Sequence, residues 1–392
     1  MSIGLLCDYL EIDEIGIKAT AEKLGINLTY IPFRKISIKI GDDGYKVRSK
    51  GKDYSETIGN VKVVLNRIQS KNRRLMAASF LEALDKPAIN PLPVEFLCFS
   101  KLRTLLYLHK NGVKIPKTVF IPCDPHEKTK DGTEVRSEEE IAGLIQQELG
   151  ESMIVVKPDA GTHGRGVELA ENREELLKII GKNESSIINP VGVFVQEFVK
   201  KWFYDLRIIV AKEKGKTPYC HPKAMARASF KDFRTNTSLG NFVFDVDLPP
   251  YIRDTASKCG KIIGKNCEAW LIALDAMVSI GENKVVDDEY VKAELEKLAA
   301  PFETVKKARN DPAKKRGFSS WNRMLEESFQ NYKCSEAYEN VRKVINESVE
   351  KNKYNVLFHE ANSCPEFWEQ TRLATGANLA EYLLKCAKSM IT

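Results

Sequence analysis

Three groups of residues in this chain have the types and spacing that chemistry needs. The first is a glycine-rich stretch: Lys157 is followed by Gly161, Thr162, His163, Gly164, Arg165 and Gly166. Such a loop, set between two strands, can close over phosphates with its backbone N–H groups, and a lysine at the strand end can meet a phosphate. It lacks the G-x-x-x-x-G-K-[ST] spacing ahead of a helix, so it is not a P-loop; taken alone, it reads first as a plain turn with a surface lysine. The second group is Asp275 with Glu360 and Asn362. Glu-x-Asn on a strand puts both side chains on one face. Two carboxylates and an amide oxygen are hard donors that suit Mg²⁺ bridged by phosphates, although a pair of ordinary polar residues at a strand end is an equal reading. The third group is Asp205-Leu-Arg207 with Arg227, Arg234 and Asn236. Arginines in strand-rich segments suit bidentate recognition of phosphate or carboxylate, and any one of them alone reads as a solvated strand face. His163 and His359 flank the first two groups and read as satisfied neighbours rather than bases. Cys364 has no adjacent base to activate it, so it is not assigned as a nucleophile.

Strand and helix patterns must position these residues. Ile3 to Cys7, Thr29 to Pro32 and Lys62 to Asn66 read as strands, and Ile15 to Leu24 and Arg73 to Leu84 as helices. Their alternation argues for a parallel α/β sheet. No G-x-G-x-x-G follows the first strand, so a dinucleotide fingerprint is absent. Glu95 to Lys110 reads as one helix, Thr118 to Ile121 as a strand, Ser137 to Leu149 as a helix and Met153 to Lys157 as the strand ahead of the glycine-rich stretch. From Val193 onward strands dominate (193–199, 206–211, 224–229, 270–280 and 355–361), with helices at 251–263 and 379–390. Residues 281–354 are charged and helical in pattern, far longer than a hairpin loop, and read as an insertion. The basic run Lys306 to Arg316 within it reads as a solvated helix face, with docking of an acidic partner as the other reading.

The bulk properties narrow the classes. A chain of 392 residues suggests two or three domains. Its 43% hydrophobic and 29% charged residues exclude a mostly disordered or fibrous chain. A net charge of +6 suits an anionic substrate and is too small for a nucleic-acid binder. The nine cysteines show no C-x-x-C or zinc-type pairing, which fits a reducing, cytoplasmic setting. The opening residues lack the basic start and long apolar run of a secretion signal, and no apolar stretch is long enough to span a membrane.

In order, LLCDYLEIDE, VVLNRIQSKNRRLMAASFLEAL, NPLPVEFLCFSKLRTLLYLHKNGVKIPKT, VVKPDAGTHGRGV, VQEFV, YDLRIIV, FRTNTSLG, ALDAM and HEANSCPEFWEQTRLATG resemble the ATP-grasp superfamily. Within it, they resemble the amino-acid ligases that include the ribosomal-protein glutamate ligases and the lysine-biosynthesis ligase that joins 2-aminoadipate to an amino-group carrier protein. The last piece is nearer the carrier-protein ligases, through Glu366-Phe367 and Thr375-Gly376.

The resemblance implies an ATP-grasp fold of mixed α/β and α+β type. Its parts would be an N-terminal parallel-sheet domain over 1–92, a small central lid domain over 93–188, and a C-terminal domain over 189–392 with a helical insertion at 281–354. It implies that Lys101 and Lys157 contact nucleotide phosphates under a mobile loop from Gly161 to Gly166. Gln196, Glu197, Phe198 and Val199 would hold adenine, with Asp205 beside them. Asp275, Glu360 and Asn362 would hold Mg²⁺, with Mn²⁺ as the alternative ion. Arg227 and Asn236 would face the acyl-phosphate and its carboxylate, and Arg234 would join the cofactor site. The insertion and Leu239-Gly240-Asn241 depart from the family's pattern, the latter near the acceptor. The implied activity is an ATP-dependent ligation of a carboxylate to an amine through an acyl-phosphate. The amine would come from glutamate or 2-aminoadipate, and the carboxylate from a carrier protein or peptide C-terminus. A glutamate ligase acting on a small cofactor and an ATP-grasp kinase are the alternatives. Relatives are often dimers or tetramers, so a homo-oligomer is an expectation.

Overall fold

The computed structural model describes residues 2–42, 44–162, 164–186, 189, 192–235 and 240–391. Chain order begins with β1 (Ser2–Cys7), α1 (Ile12–Lys23) and β2 (Asn27–Pro32). A small antiparallel hairpin sheet follows, β3 (Ser37–Gly41), β4 (Gly44–Ser49) and β5 (Lys52–Asp53), and then α2 (Ser55–Asn60), β6 (Val63–Asn66), α3 (Lys71–Ala83) and β7 (Ala88–Ile89). The first sheet runs in the order β2-β1-β6-β7 and all its pairings are parallel. Leu5, Leu6, Val63, Val64 and Leu65 are buried, as the unbroken apolar runs of a covered parallel sheet require. The hairpin was not legible in the sequence, because its strands are mostly exposed and polar.

The predicted single helix from Glu95 to Lys110 is two helices, α4 (Leu92–Phe99) and α5 (Lys101–Lys110). Ser100 between them is extended, and its hydroxyl accepts the Arg103 N–H at 3.1 Å as the α5 N-cap. The break places Lys101 at the first position of α5, buried and facing inward. The central sheet comprises β8 (Thr118–Ile121), β9 (Ile154–Val156), β10 (Glu168–Ala170) and β11 (Val193–Glu197), in the order β10-β9-β11-β8. The helices α6 (Glu138–Leu149) and α7 (Arg173–Ile180) cover it and share a separate apolar core with it.

The third sheet is antiparallel. Its strands are β12 (Tyr204–Lys212), β13 (Tyr219–Cys220), β14 (Lys223–Ala228), β15 (Phe242–Asp247), β16 (Trp270–Val278) and β17 (Val356–Asn362), with the main order β15-β14-β12-β16-β17. The helix α8 (Pro250–Ile263) packs on it around the fully buried Trp270. A Cβ on Gly260 or Gly264 would come within 2.4 or 2.0 Å of that indole, so only glycine lets the helix approach so closely. Segment 281–354 contains α9 (Asp288–Arg309), α10 (Phe318–Lys333) and α11 (Glu336–Lys351); α12 (Thr371–Thr375) and α13 (Leu379–Ser389) complete the chain. Among the described residues no helix is long and apolar enough to cross a membrane.

The three-helix segment is clipped to the sheet through Asp245 of β15, which is 2% exposed. Asp245 accepts a hydrogen bond from the Tyr338 hydroxyl at 2.8 Å and from Lys223 at 2.6 Å, with Arg342 at 3.3 Å and Lys333 at 3.6 Å. Burial raises its carboxyl pKa, but these donors outweigh burial and hold it at about 2. A pKa lowered in the folded state adds stability that is complete above the unfolded value, near 4, and is lost as pH falls through the folded value. Asp245→Asn is therefore expected to cost about 3 kcal/mol at pH 7, and less as acid melts approach pH 2, because it strands buried cations. Chemical denaturation at pH 7 and pH 3 measures this; equal stability of variant and wild type at pH 7 would refute the clip.

Candidate active site

The strand register builds the centre of the site. Asp205 and Arg207 alternate on β12 and so share a face. Asp205 lies opposite Arg227 of β14, and Arg207 lies opposite Asp275 of β16. Arg227 donates to both oxygens of Asp205 at 2.6 and 2.9 Å, and Arg207 donates to both oxygens of Asp275 at 2.9 and 2.9 Å. Arg227 also reaches Asp275 Oδ2 at 3.4 Å. The result is a buried lattice of alternating charge. Burial pushes the Asp275 carboxyl up, yet Arg207 and Arg227 together hold it well below the usual carboxylate range. Thr235 donates to Asp205 and accepts from Lys201 at 3.0 Å.

Glu360 of β17 lies directly opposite Asp275. The next pair is Ala276 with Phe358, so His359 is the extra residue of a β-bulge. The bulge brings His359 to line the same cavity as Glu360. His359 was expected to be a satisfied neighbour. Instead its Nε2 is buried with no hydrogen-bond partner among the described residues, and burial, then Lys157, push its pKa down to about 4, so it is neutral. Among the described residues Glu360 makes only long ion-pair contacts, 3.8 Å to Lys101 and 3.9 Å to Lys71. Burial raises its carboxyl, but Lys101 and Lys71 outweigh burial and lower it. Asn362 donates weakly to Asp275 at 3.4 Å.

The glycine-rich loop lies above these groups. Lys101 donates to the carbonyls of Pro158, Asp159 and Gly161 at 3.2, 3.3 and 2.8 Å. It thus pins the loop's base as well as approaching Glu360. Lys157, at the end of β9, is 8% exposed and stands 5.6 Å from the Phe194 ring centroid. Burial, then Lys101, bring its ammonium down to about 7. A Cβ on Gly161 would lie 2.5 Å from Pro158, and Gly164 and Gly166 have φ of 70° and 68°. Thr162 and Arg165 are exposed on the loop; His163 lies outside the described residues.

One cavity of about 600 Å³ gathers these residues, a volume within the range of small-molecule sites. Gln196, Glu197, Phe198 and Val199 line it with Lys157, Asp205, Arg227, Arg234, Asp275, Glu360 and Asn362. Gln196 donates to Thr118 at 2.9 Å, and the Phe198 N–H donates to the Met153 carbonyl at 3.0 Å. Arg234 is held by Asp232 at 2.6 Å rather than standing alone. Asn236 and Leu239 lie outside the described residues. Burial pushes the Cys364 thiol up, which leaves it a poor nucleophile.

Several lining residues were missed in the sequence reading. Lys71 enters at the start of α3, where burial, despite Glu360, lowers its pKa to about 8. Arg67, Asp13 and Glu14 come from the N-terminal sheet and α1. The signal was present in the NRIQSKNRR run, whose cations flank a strand end, but no spacing rule ties them to a strand some 290 residues away. The basic run Lys306 to Arg316 is a solvated face only in part: Lys307, Lys315 and Arg316 are exposed, while Arg309 and Lys314 are half-buried. Lys314 pairs with Glu369 at 2.7 Å, Lys315 with Glu11 at 2.7 Å, and Arg309 and Lys314 line the cavity.

A divalent ion fits this donor set only in part. Among the described residues no group of three or more Asp, Glu, His or Cys is placed to hold a metal. Two carboxylates and an amide are what Mg²⁺ uses when phosphate oxygens and water complete its shell, and Glu360, held only at long range, has the capacity to serve.

Residues 100–279 match a model of the RimK-like ATP-grasp domain. The chain is 28% identical over 265 residues to the alpha-aminoadipate–LysW ligase LysX of Sulfurisphaera tokodaii, covering 67% of this chain and 82% of that one. It is 23% identical over 289 residues to the glutamate–LysW ligase ArgX of Sulfolobus acidocaldarius, covering 74% and 89%. The fold also matches a Chryseobacterium gregarium RiPP-associated ATP-grasp ligase, solved with ADP and a leader and core peptide, at a TM-score of 0.55 and 15% identity over 99% and 97% of the two chains. Residues 100–279 thus form a RimK-like ATP-grasp domain at the centre of the chain. Its class of enzyme is the ATP-dependent acid–amino-acid ligase.

Proposed function

We propose that this ligase joins an α-amino acid, glutamate or 2-aminoadipate, to the C-terminal carboxylate of a carrier protein or peptide. The observation that supports the reading most is the single cavity that sets Lys157 and the glycine-rich loop against the Asp275–Glu360 pair. In the first step, a carboxylate oxygen bonds to the γ-phosphorus of ATP as the bond to the ADP oxygen breaks. In the second, the amine bonds to the acyl carbon, phosphate leaves, and the amine gives up a proton. No protein nucleophile is needed.

In this reading Lys157, Lys101 and the loop from Gly161 to Gly166 hold the phosphates, and residues 196–199 hold the adenine. Asp275, Glu360 and Asn362 would hold the divalent ion, which supplies charge neutralisation during phosphoryl transfer. Arg227, fixed between Asp205 and Asp275, presents positive charge where the acyl-phosphate forms. Most of the catalytic gain is positioning of two substrates in a water-poor site.

The test is ADP release from Mg-ATP with amino acids and peptide carboxylates supplied in a matrix. Release that requires both an amino acid and a carboxylate is the expected result. Release with no amine would instead make the protein a kinase.

A further inference from the structure

Beyond the glycine-rich loop, the cavity is lined at a second end by Arg67, by residues 364–367 and, from the helical insertion, by Arg309 and Lys314. Residues 365–370 run between α1 and the insertion. On the α1 side, Asp13 accepts the Trp368 backbone N–H at 2.8 Å, and a Cβ on Gly16 would meet the Trp368 ring at 2.1 Å. On the insertion side, the Trp368 indole donates to Asn322 at 2.8 Å, and its ring lies 5.5 Å from that of Phe318. Lys315 ties the insertion directly to Glu11 at the start of α1. A chain segment with this many anchors is a fixed wall and not a passing loop.

That end holds two cationic poles. One is Arg67, which is 3% exposed; its Nε and Nη2 reach Glu14 and Asp13 at 3.3 and 3.3 Å, while its buried Nη1 has no hydrogen-bond partner among the described residues. The other is on the insertion, where Arg309 and Lys314 share Glu369 at 3.9 and 2.7 Å. Asp13, Glu14, Glu366 and Glu369 line the cavity together with these cations. A lining of both cations and carboxylates complements a ligand that carries two carboxylates and an ammonium.

We propose that the insertion completes the amine-substrate subsite, with Arg309 and Lys314 reading the side-chain carboxylate of a dicarboxylic amino acid whose α-carboxylate meets Arg67 Nη1. This rests on the ligase reading above, and it assigns the insertion a job in specificity. Cations built to meet a carboxylate reject an analogue that lacks it far more strongly than a missing methylene does.

The experiment compares amine-dependent ADP release with glutamate, 2-aminoadipate and their uncharged counterparts glutamine and norleucine. Wild type is expected to favour the dicarboxylic acids by about a hundredfold or more. Arg309→Ala and Lys314→Ala should each raise KM for the dicarboxylic acids about tenfold to a hundredfold, the effect of one charge-assisted hydrogen bond. KM for ATP, kcat, and KM for glutamine should stay unchanged, and Arg309→Lys should recover part of the loss. Lys307→Ala removes an exposed cation of the same helix that does not line the cavity and should keep the selectivity. Melting curves verify folding, and Arg309→Gln replaces Arg309→Ala if the latter melts early. Unchanged selectivity in the folded variants, or a wild type that accepts glutamine as readily as glutamate, overturns the inference and leaves the ligase reading standing. ADP release that ignores amines altogether overturns both.

Discussion

Glu360→Gln is expected to lower kcat for amine-dependent ADP release about a hundredfold to a thousandfold, the scale of losing one charge-stabilising group in a phosphoryl-transfer site. The same change should leave the melting temperature nearly where it was. Among the described residues Glu360 makes no close ion pair, only 3.8 and 3.9 Å contacts to Lys101 and Lys71, and glutamine has the same shape. The substitution removes negative charge beside Lys71, Lys101 and Lys157, so affinity for the anionic nucleotide should hold or rise. A fall in kcat without a rise in KM for ATP is the signature of an interaction made in the transition state. Asp275→Asn would be a poorer probe. It strips the counter-charge from buried Arg207 and Arg227, and breaking a buried pair costs about 3–5 kcal/mol of stability. Wild-type turnover by Glu360→Gln would remove Glu360 from the metal-binding set.

The parts of this site that were legible in the sequence are those governed by short-range rules. Glu360 and Asn362 sit two apart on a strand, so their shared face followed from alternation alone; Asp205 and Arg207 obey the same rule, but only because the strand begins at Tyr204 rather than at the expected 206. Lys157 ahead of a glycine-rich stretch was legible because a strand end fixes where its side chain starts. Three features were not. Ser100 breaks the helix expected over 95–110 because an N-cap competes with helix continuation, and that contest is settled by how Lys101 packs beneath residues 158–161. His359 joins the cavity through a bulge, and a bulge is a property of the pairing with β16 rather than of the strand's own residues. The role of Lys306 to Arg316 was misread because charge density on a helix says nothing of partners distant in sequence. Glu11 and Glu369, which hold Lys315 and Lys314, lie 304 and 55 residues away.

Lys157 is expected to make nucleotide binding proton-linked. With no phosphate present its ammonium has a pKa of about 7, chiefly because it is buried and next because Lys101 stands nearby. A bound phosphate favours the charged form and must raise that value. Below pH 7 the lysine is already charged, so affinity there should not depend on its titration. Above pH 7 binding must first protonate it, and ATP affinity should fall up to about tenfold per pH unit until the raised pKa is reached. Calorimetry at pH 8 in two buffers of different ionisation enthalpy should register uptake of close to one proton. Lys157→Met should remove most of the uptake and of the slope, leaving the smaller share that Lys71, at about 8, contributes, and weaken ATP binding about tenfold to a hundredfold through the lost charge-assisted bond. It should also melt no lower than wild type, because it relieves a buried charge that has no close counter-ion among the described residues. A wild-type affinity that stays flat from pH 7 to pH 9, with no proton taken up, would mean that Lys157 does not meet the phosphates.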